Sequence, residues 1–234
     1  MPFKPTLFVV TDIETTMRKR IAFDVAWRIV DRKGREYGSG SYVIREAFKL
    51  DLPFFAEKMG HYFDDAYSHK IVPASIDDVR AEYNAQINAL AAAGHKVILC
   101  AYNARFDFTH LPRTLQVLHN DTSARWLDNA FPLLDIWDFW GQSVPLNYRA
   151  NPSKSGKYFS TSAESAYRWE FMQEDFEERH IAWHDCLIES DILLKALQRK
   201  KPMPIVSKPS EFSGSVWRDI NLRLGVDGSQ ALAA

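Results

Sequence analysis

Apolar positions in the first fifth of this chain fall into short runs separated by turn residues; further on they spread into longer stretches of helical period. Residues 6–11 (TLFVVT) are rich in β-branched and aromatic side chains and predict a buried strand that ends at Asp12. Residues 21–31 (IAFDVAWRIVD) predict a second strand with partial alternation. The turn-forming RKGREYGSG follows, and residues 41–48 (SYVIREAF) predict a third strand, so the three should form an antiparallel meander. Residues 49–75 are irregular and read as short helices or a loop insertion bordering a site. SIDDVRAEYNAQINALAAAG carries an N-cap in Ser75, acids in its first turn and a stop at Gly94, and predicts a helix.

The remainder alternates. Residues 96–102 (KVILCAY) predict a strand, and Asp107 should open the next helix, with Pro112 in its first turns. FPLLDIWDFW fits strand and helix equally. Residues 145–160, with Lys154 and Lys157, read as a polar loop. TSAESAYRWEF predicts a helix capped by Thr161 or Ser162, with Glu164 completing a capping box. HIAWHDCLIESDILLKALQRK predicts a long amphipathic helix, with Ile181, Asp185, Ile188 and Ile192 at helical spacing. Residues 1–200 thus read as one domain and 201–234 as a partly ordered appendage. Strands followed by alternating helix and strand indicate a mixed sheet flanked by helices.

Composition narrows the partners. The 234 residues are 46% hydrophobic and 25% charged with a net charge of −1, so any binding of nucleic acid must rest on a local basic patch or on cations rather than on global basicity. Cys100 and Cys186 lie in apolar segments without zinc-type spacing and read as buried thiols. The first residues lack a signal-peptide layout and no apolar run reaches membrane-span length, so a cytoplasmic location, in a cell or an infected host, and no membrane association are expected.

Candidate chemistry lies in three clusters: Asp12 and Glu14 in TDIETT, Asp107 in AYNARFDF, and His180 and Asp185 in HIAWHD. On a strand, Asp12 and Glu14 share a face. Asp107 could serve merely to cap its helix. His180 and Asp185 are five apart, about 140° around a continuous helix, and converge only if His180 precedes the helix or lies at its frayed start. Four converging carboxylates repel one another unless cations sit between them. Hard oxygen ligands in that number suit magnesium or manganese. Thr15 and Thr16 add donors where a phosphate or sugar could sit, Met17 is a candidate wedge at a strand end, and Asn103 could contact substrate or hold its loop. Phe63 and Phe108 are weaker wedge candidates, and Arg18, Lys19 and Arg20 could grip phosphates.

In order and local pattern, DIETT, NARFD and HIAWHD resemble the three exonuclease motifs of the DEDD superfamily in its histidine-bearing branch, which includes proofreading subunits, ribonuclease T and oligoribonuclease. The resemblance spans about residues 7–197; one departure is Thr16-Met17 where relatives often carry Thr-Gly. It implies a ribonuclease H-like α/β fold with a five-stranded mixed sheet flanked by helices. It implies a 3′-to-5′ exonuclease, acting on DNA with single-stranded ends preferred and releasing nucleoside 5′-monophosphates by a two-metal mechanism. Asp12, Glu14, Asp107 and Asp185 would hold two Mg2+ ions, for which Mn2+ can substitute, and His180 would be the general base. The expected partner is nucleic acid with a free 3′ end, within a replication or repair complex in one version. Alternatives are an exoribonuclease, an endonuclease on the same sheet, and a nucleic-acid-binding module on an exonuclease scaffold.

Overall fold

The computed structural model describes residues 4–17, 19–48, 50, 72–144, 148 and 159–212. Arg18, Phe63, Lys154, Lys157, most of the 49–75 and 145–160 segments and everything after 212 lie outside the described residues. Strand β1 (Thr6–Thr15) pairs antiparallel with β2 (Ala22–Asp31), which pairs antiparallel with β3 (Glu36–Ile44). This is the expected meander. A single helical turn α1 (Arg45–Phe48) follows, and β4 (Val72–Ala74) joins β3 in parallel. Helix α2 (Ile76–Ala92), capped by Ser75, leads to β5 (Lys96–Ala101), which pairs in parallel with β1. Then come α3 (Ala104–His119), β6 (Leu133–Asp135), α4 (Ile136–Gly141), α5 (Ala163–Phe171) and α6 (Ala182–Gln198). Strand β7 (Ile205–Val206) closes the order β4-β3-β2-β1-β5-β6-β7.

The sheet is therefore mixed and flanked by helices as expected, but with seven strands rather than five. The extra members, β4 and β7, are short edge strands of three and two residues. Runs that brief leave no periodicity to read. The ambiguous FPLLDIWDFW divides into β6 and α4 at Asp135, whose side chain caps the helix.

Strand alternation sorts the core into two layers. Leu7, Val9 and Ile13 of β1 and Val97, Leu99 and Ala101 of β5 face α2 and α3, packing with Val79, Tyr83, Phe108 and Leu111. Phe8 and Val10, with Ile98 and Cys100, face the other way onto Phe139, Trp140, Ile192 and Leu193 of α4 and α6. Phe108, a weak wedge candidate, is part of the first layer and unavailable to a substrate. Trp27 lies over Gly40 on the neighbouring strand so closely that no Cβ fits there, and its indole N–H donates to Gln86 at 3.0 Å. Both cysteines are buried. No helix among the described residues is long and apolar enough to cross a membrane.

Local expectations shift at the starts of α3 and α5. Helix α3 starts at Ala104, not Asp107, so Asp107 sits in its first turn and Pro112 in its interior. Helix α5 is capped by Ser162, whose hydroxyl accepts from the Ser165 N–H at 3.2 Å. Glu164 does not close a capping box; it accepts from the Glu178 N–H at 2.9 Å and pairs with Arg168. Of the chain beyond residue 200, Ile205 and Val206 pair with β6 and Phe212 is buried in the first core layer.

Candidate active site

Asp12 and Glu14 continue the face of β1 that carries Phe8 and Val10, so they emerge beside α6 where the apolar contacts run out. Both are partly buried. Glu14 lies opposite Asp24 of β2, and the pairing shifts register between Glu14 and Thr15. A tight turn follows: the Thr16 N–H donates to the Ile21 carbonyl at 2.9 Å and the Arg20 N–H to the Thr16 carbonyl at 3.0 Å. Thr16 is buried and its hydroxyl accepts from the Ile21 N–H at 3.3 Å, so it braces this turn. Met17, within this turn, is 80% exposed.

The third cluster reaches the first through a break in helical geometry. Helix α6 begins only at Ala182; His180 precedes it in the left-handed region with φ of 52°. The 140° offset of a continuous helix therefore does not apply. Ligand atoms of Glu14, His180 and Asp185 all lie within 4.8 Å of one another. Asp185 is buried in the first turn of α6, and its N–H donates to the Ile181 carbonyl at 3.0 Å. His180 is 65% exposed, with Nδ1 4.0 Å from the carboxylate of Glu178.

The second cluster is anchored by carboxylates that sequence reasoning missed. Asn103 takes φ 67° and ψ 53°, and its side chain does not cap α3. Instead the Tyr102 N–H donates to Glu189 of α6 at 3.2 Å, and the Asn103 and Ala104 N–H groups donate to the two oxygens of Asp135 at 3.2 and 3.1 Å. Asp135 also accepts from the N–H groups of Trp137 and Asp138 at 2.9 and 3.3 Å, capping α4. The arrangement delivers Asp107, buried, one turn into α3. Asn103 itself is exposed.

Burial, reinforced by the crowding of acids, governs the electrostatics. Burial pushes the Asp12 carboxyl well above the usual carboxylate range, and the negative charges of Glu189, Asp107, Asp185 and Glu14 push it further. Asp107 is raised by burial and by Asp135 and Glu14, while its own N–H and that of Ile13 oppose the rise. Glu189 is raised by burial, then by Asp107 and Asp185. Burial, then Asp138, carries Asp135 to about 7 despite its backbone donors. Burial and Glu164 carry Glu178 to about 7.

These residues fit a divalent cation. The donors that converge are the hard carboxylates of Glu14 on β1 and Asp185 on α6 with the imidazole of His180, and the repulsion that Asp107, Asp185 and Glu14 exert on Asp12 is what a dication relieves. Of the acids missed from sequence, Glu189 follows Asp185 by one helical turn, a spacing visible in HDCLIES. Asp24 and Asp135 are lone acids inside apolar runs, AFDVAW and PLLDIW, a signal of a buried partnered carboxylate.

No family model matches the chain, and no curated protein matches it. Among solved structures it is similar to one described as Exonuclease X in complex with 5′ overhanging duplex DNA, with 15% identity, 91% of this chain and 98% of that chain covered, and a TM-score of 0.45. A likeness at that score carries no weight for the site or its chemistry.

Proposed function

We propose that this chain is a divalent-metal-dependent 3′-to-5′ exonuclease that acts on nucleic acid, DNA with single-stranded ends in preference, and releases nucleoside 5′-monophosphates. The observation that supports this reading is the convergence of Glu14 with His180 and Asp185, more than 160 residues further along the sequence, to within 4.8 Å beside the acid-crowded Asp12. Asp12, Glu14, Asp107 and Asp185 are the residues that would hold two Mg2+ or Mn2+ ions. Bound there, the ions would lower the pKa of water and offset charge on the leaving oxygen.

The chain's own residues supply the rest. His180, exposed and ahead of α6, can take the proton of an attacking water as general base. Met17 stands exposed just past the first carboxylates, where an apolar side chain can stack on a terminal base. Lys19 and Arg20 share that turn and offer charge to phosphates. Thr15 and Asn103 border the carboxylates and are the candidate contacts to sugar or phosphate.

The test is digestion of end-labelled single-stranded DNA and RNA with Mg2+, comparing the chain with Asp12→Ala. The proposal requires mononucleotides released from the 3′ end by the unaltered chain and none by the variant. Preference for RNA would select the exoribonuclease reading, internal fragments the endonuclease reading, and binding without cleavage the binding-module reading.

A further inference from the structure

The left-handed turn at Asn103 is held from outside its own segment. Three consecutive backbone N–H groups, those of Tyr102, Asn103 and Ala104, point into carboxylates carried by other elements. Asp135 takes the last two and lies on the adjacent strand β6. The first is taken by Glu189, which is buried and lies one helical turn beyond Asp185 on the same face of α6. A hydrogen bond of 3.2 Å therefore joins the helix that carries Asp185 to the turn that launches the helix carrying Asp107. The Asn103 side chain makes no cap of its own, so local sequence supplies nothing that would replace this bond.

We propose that Glu189 is a positioning residue: by accepting from the Tyr102 N–H it fixes the spacing between Asp107 and Asp185, and with it the geometry in which this site takes divalent cations. The role rests on the nuclease reading above. It predicts that the bond, rather than the bulk or the negative charge of Glu189, is what matters. Glutamine keeps a carbonyl oxygen at the same reach and loses the charge; alanine loses the acceptor.

The experiment compares the full chain with Glu189→Gln and Glu189→Ala by three readouts. Backbone hydrogen exchange of the 100–107 segment should be at least tenfold faster in Glu189→Ala and near the unaltered rate in Glu189→Gln. Calorimetric titration with MnCl2 should show weakened binding in Glu189→Ala, largely recovered in Glu189→Gln. On a single-stranded oligonucleotide, kcat should fall about tenfold or more in Glu189→Ala with KM little changed, and most of that loss should be recovered in Glu189→Gln. Equal losses in both variants would overturn the proposal, because charge rather than the hydrogen bond would then be the agent. Unchanged exchange in Glu189→Ala would overturn it as well. If the unaltered chain neither binds Mn2+ nor cleaves, the nuclease reading falls and this role falls with it; if it does both and the variants match it, only the positioning role falls.

Discussion

The carboxylate of Asp24, on β2, accepts a hydrogen bond at 3.0 Å from the backbone N–H of Ala182, 158 residues away. Ile181, at the N-cap position of α6, offers no side-chain acceptor, so a strand residue caps the helix that carries Asp185. Helix starts leave backbone N–H groups unmet, and loss of an N-cap acceptor costs about 0.5–2 kcal/mol. Asp24→Ala should lower stability by that amount in urea unfolding, and Asp24→Asn, which keeps an acceptor, should lower it less. Equal stability of Asp24→Ala and the unaltered chain would show that the cap contributes nothing.

Stability should also depend on pH in a direction opposite to that of most carboxylate-bearing folds. Asp135 and Glu178 titrate near 7 when folded, against ordinary carboxyl values of 3.8 and 4.5. The folded state therefore binds more protons than the unfolded state across the window between those values, and stability falls as pH rises through it. Asp12, Asp107 and Glu189 shift the same way. Without divalent ions, the midpoint of thermal unfolding should be lower at pH 8 than at pH 5.5, and MgCl2 should raise it more at pH 8. A metal-free midpoint that rises over this range would contradict the crowding of buried acids.

Much of the fold was legible in the sequence because its long elements carry strong periods. The β1–β3 meander, the Ser75-capped α2 and the approximate extent of α6 follow from alternation, capping and helical spacing. What was not legible is tertiary. The start of α3 at Ala104 depends on Asp135 and Glu189, acceptors from distant segments, so a reading that sought a cap within NARFD placed the start at Asp107. The convergence of His180 with Glu14 and Asp185 depends on a left-handed residue that is not glycine, an uncommon conformation even though histidine is among the types enriched in it. Glu189 was missed because it reads as one polar residue in an amphipathic helix, and only the fold brings its charge close enough to act on Asp12.

Met17 offers a test of how a strand end is gripped. It is 80% exposed and makes no contribution to the core, so Met17→Ala should leave thermal stability unchanged. Stacking on a base contributes about 1–3 kcal/mol, so KM for a short single-stranded oligonucleotide should rise about fivefold or more, with kcat less affected. An unchanged KM would remove Met17 from the substrate path.

His180 offers the complementary test. Its side chain is 65% exposed, so His180→Ala should fold normally. As general base it should carry about 10²–10⁴-fold of the rate, lost in kcat with little change in KM. A variant that loses affinity for the oligonucleotide while keeping kcat would place His180 in binding rather than in proton transfer.

The most direct test of the site itself is the stoichiometry of Mn2+ binding, read by calorimetric titration of the full chain and of Asp12→Asn. The proposed site, in which carboxylates from β1, α3 and α6 take divalent cations, predicts two Mn2+ per chain in the presence of a nucleoside 5′-monophosphate, and a clear loss of binding in the variant. Two ions bound equally well by Asp12→Asn, or none bound by the unaltered chain, would contradict the account.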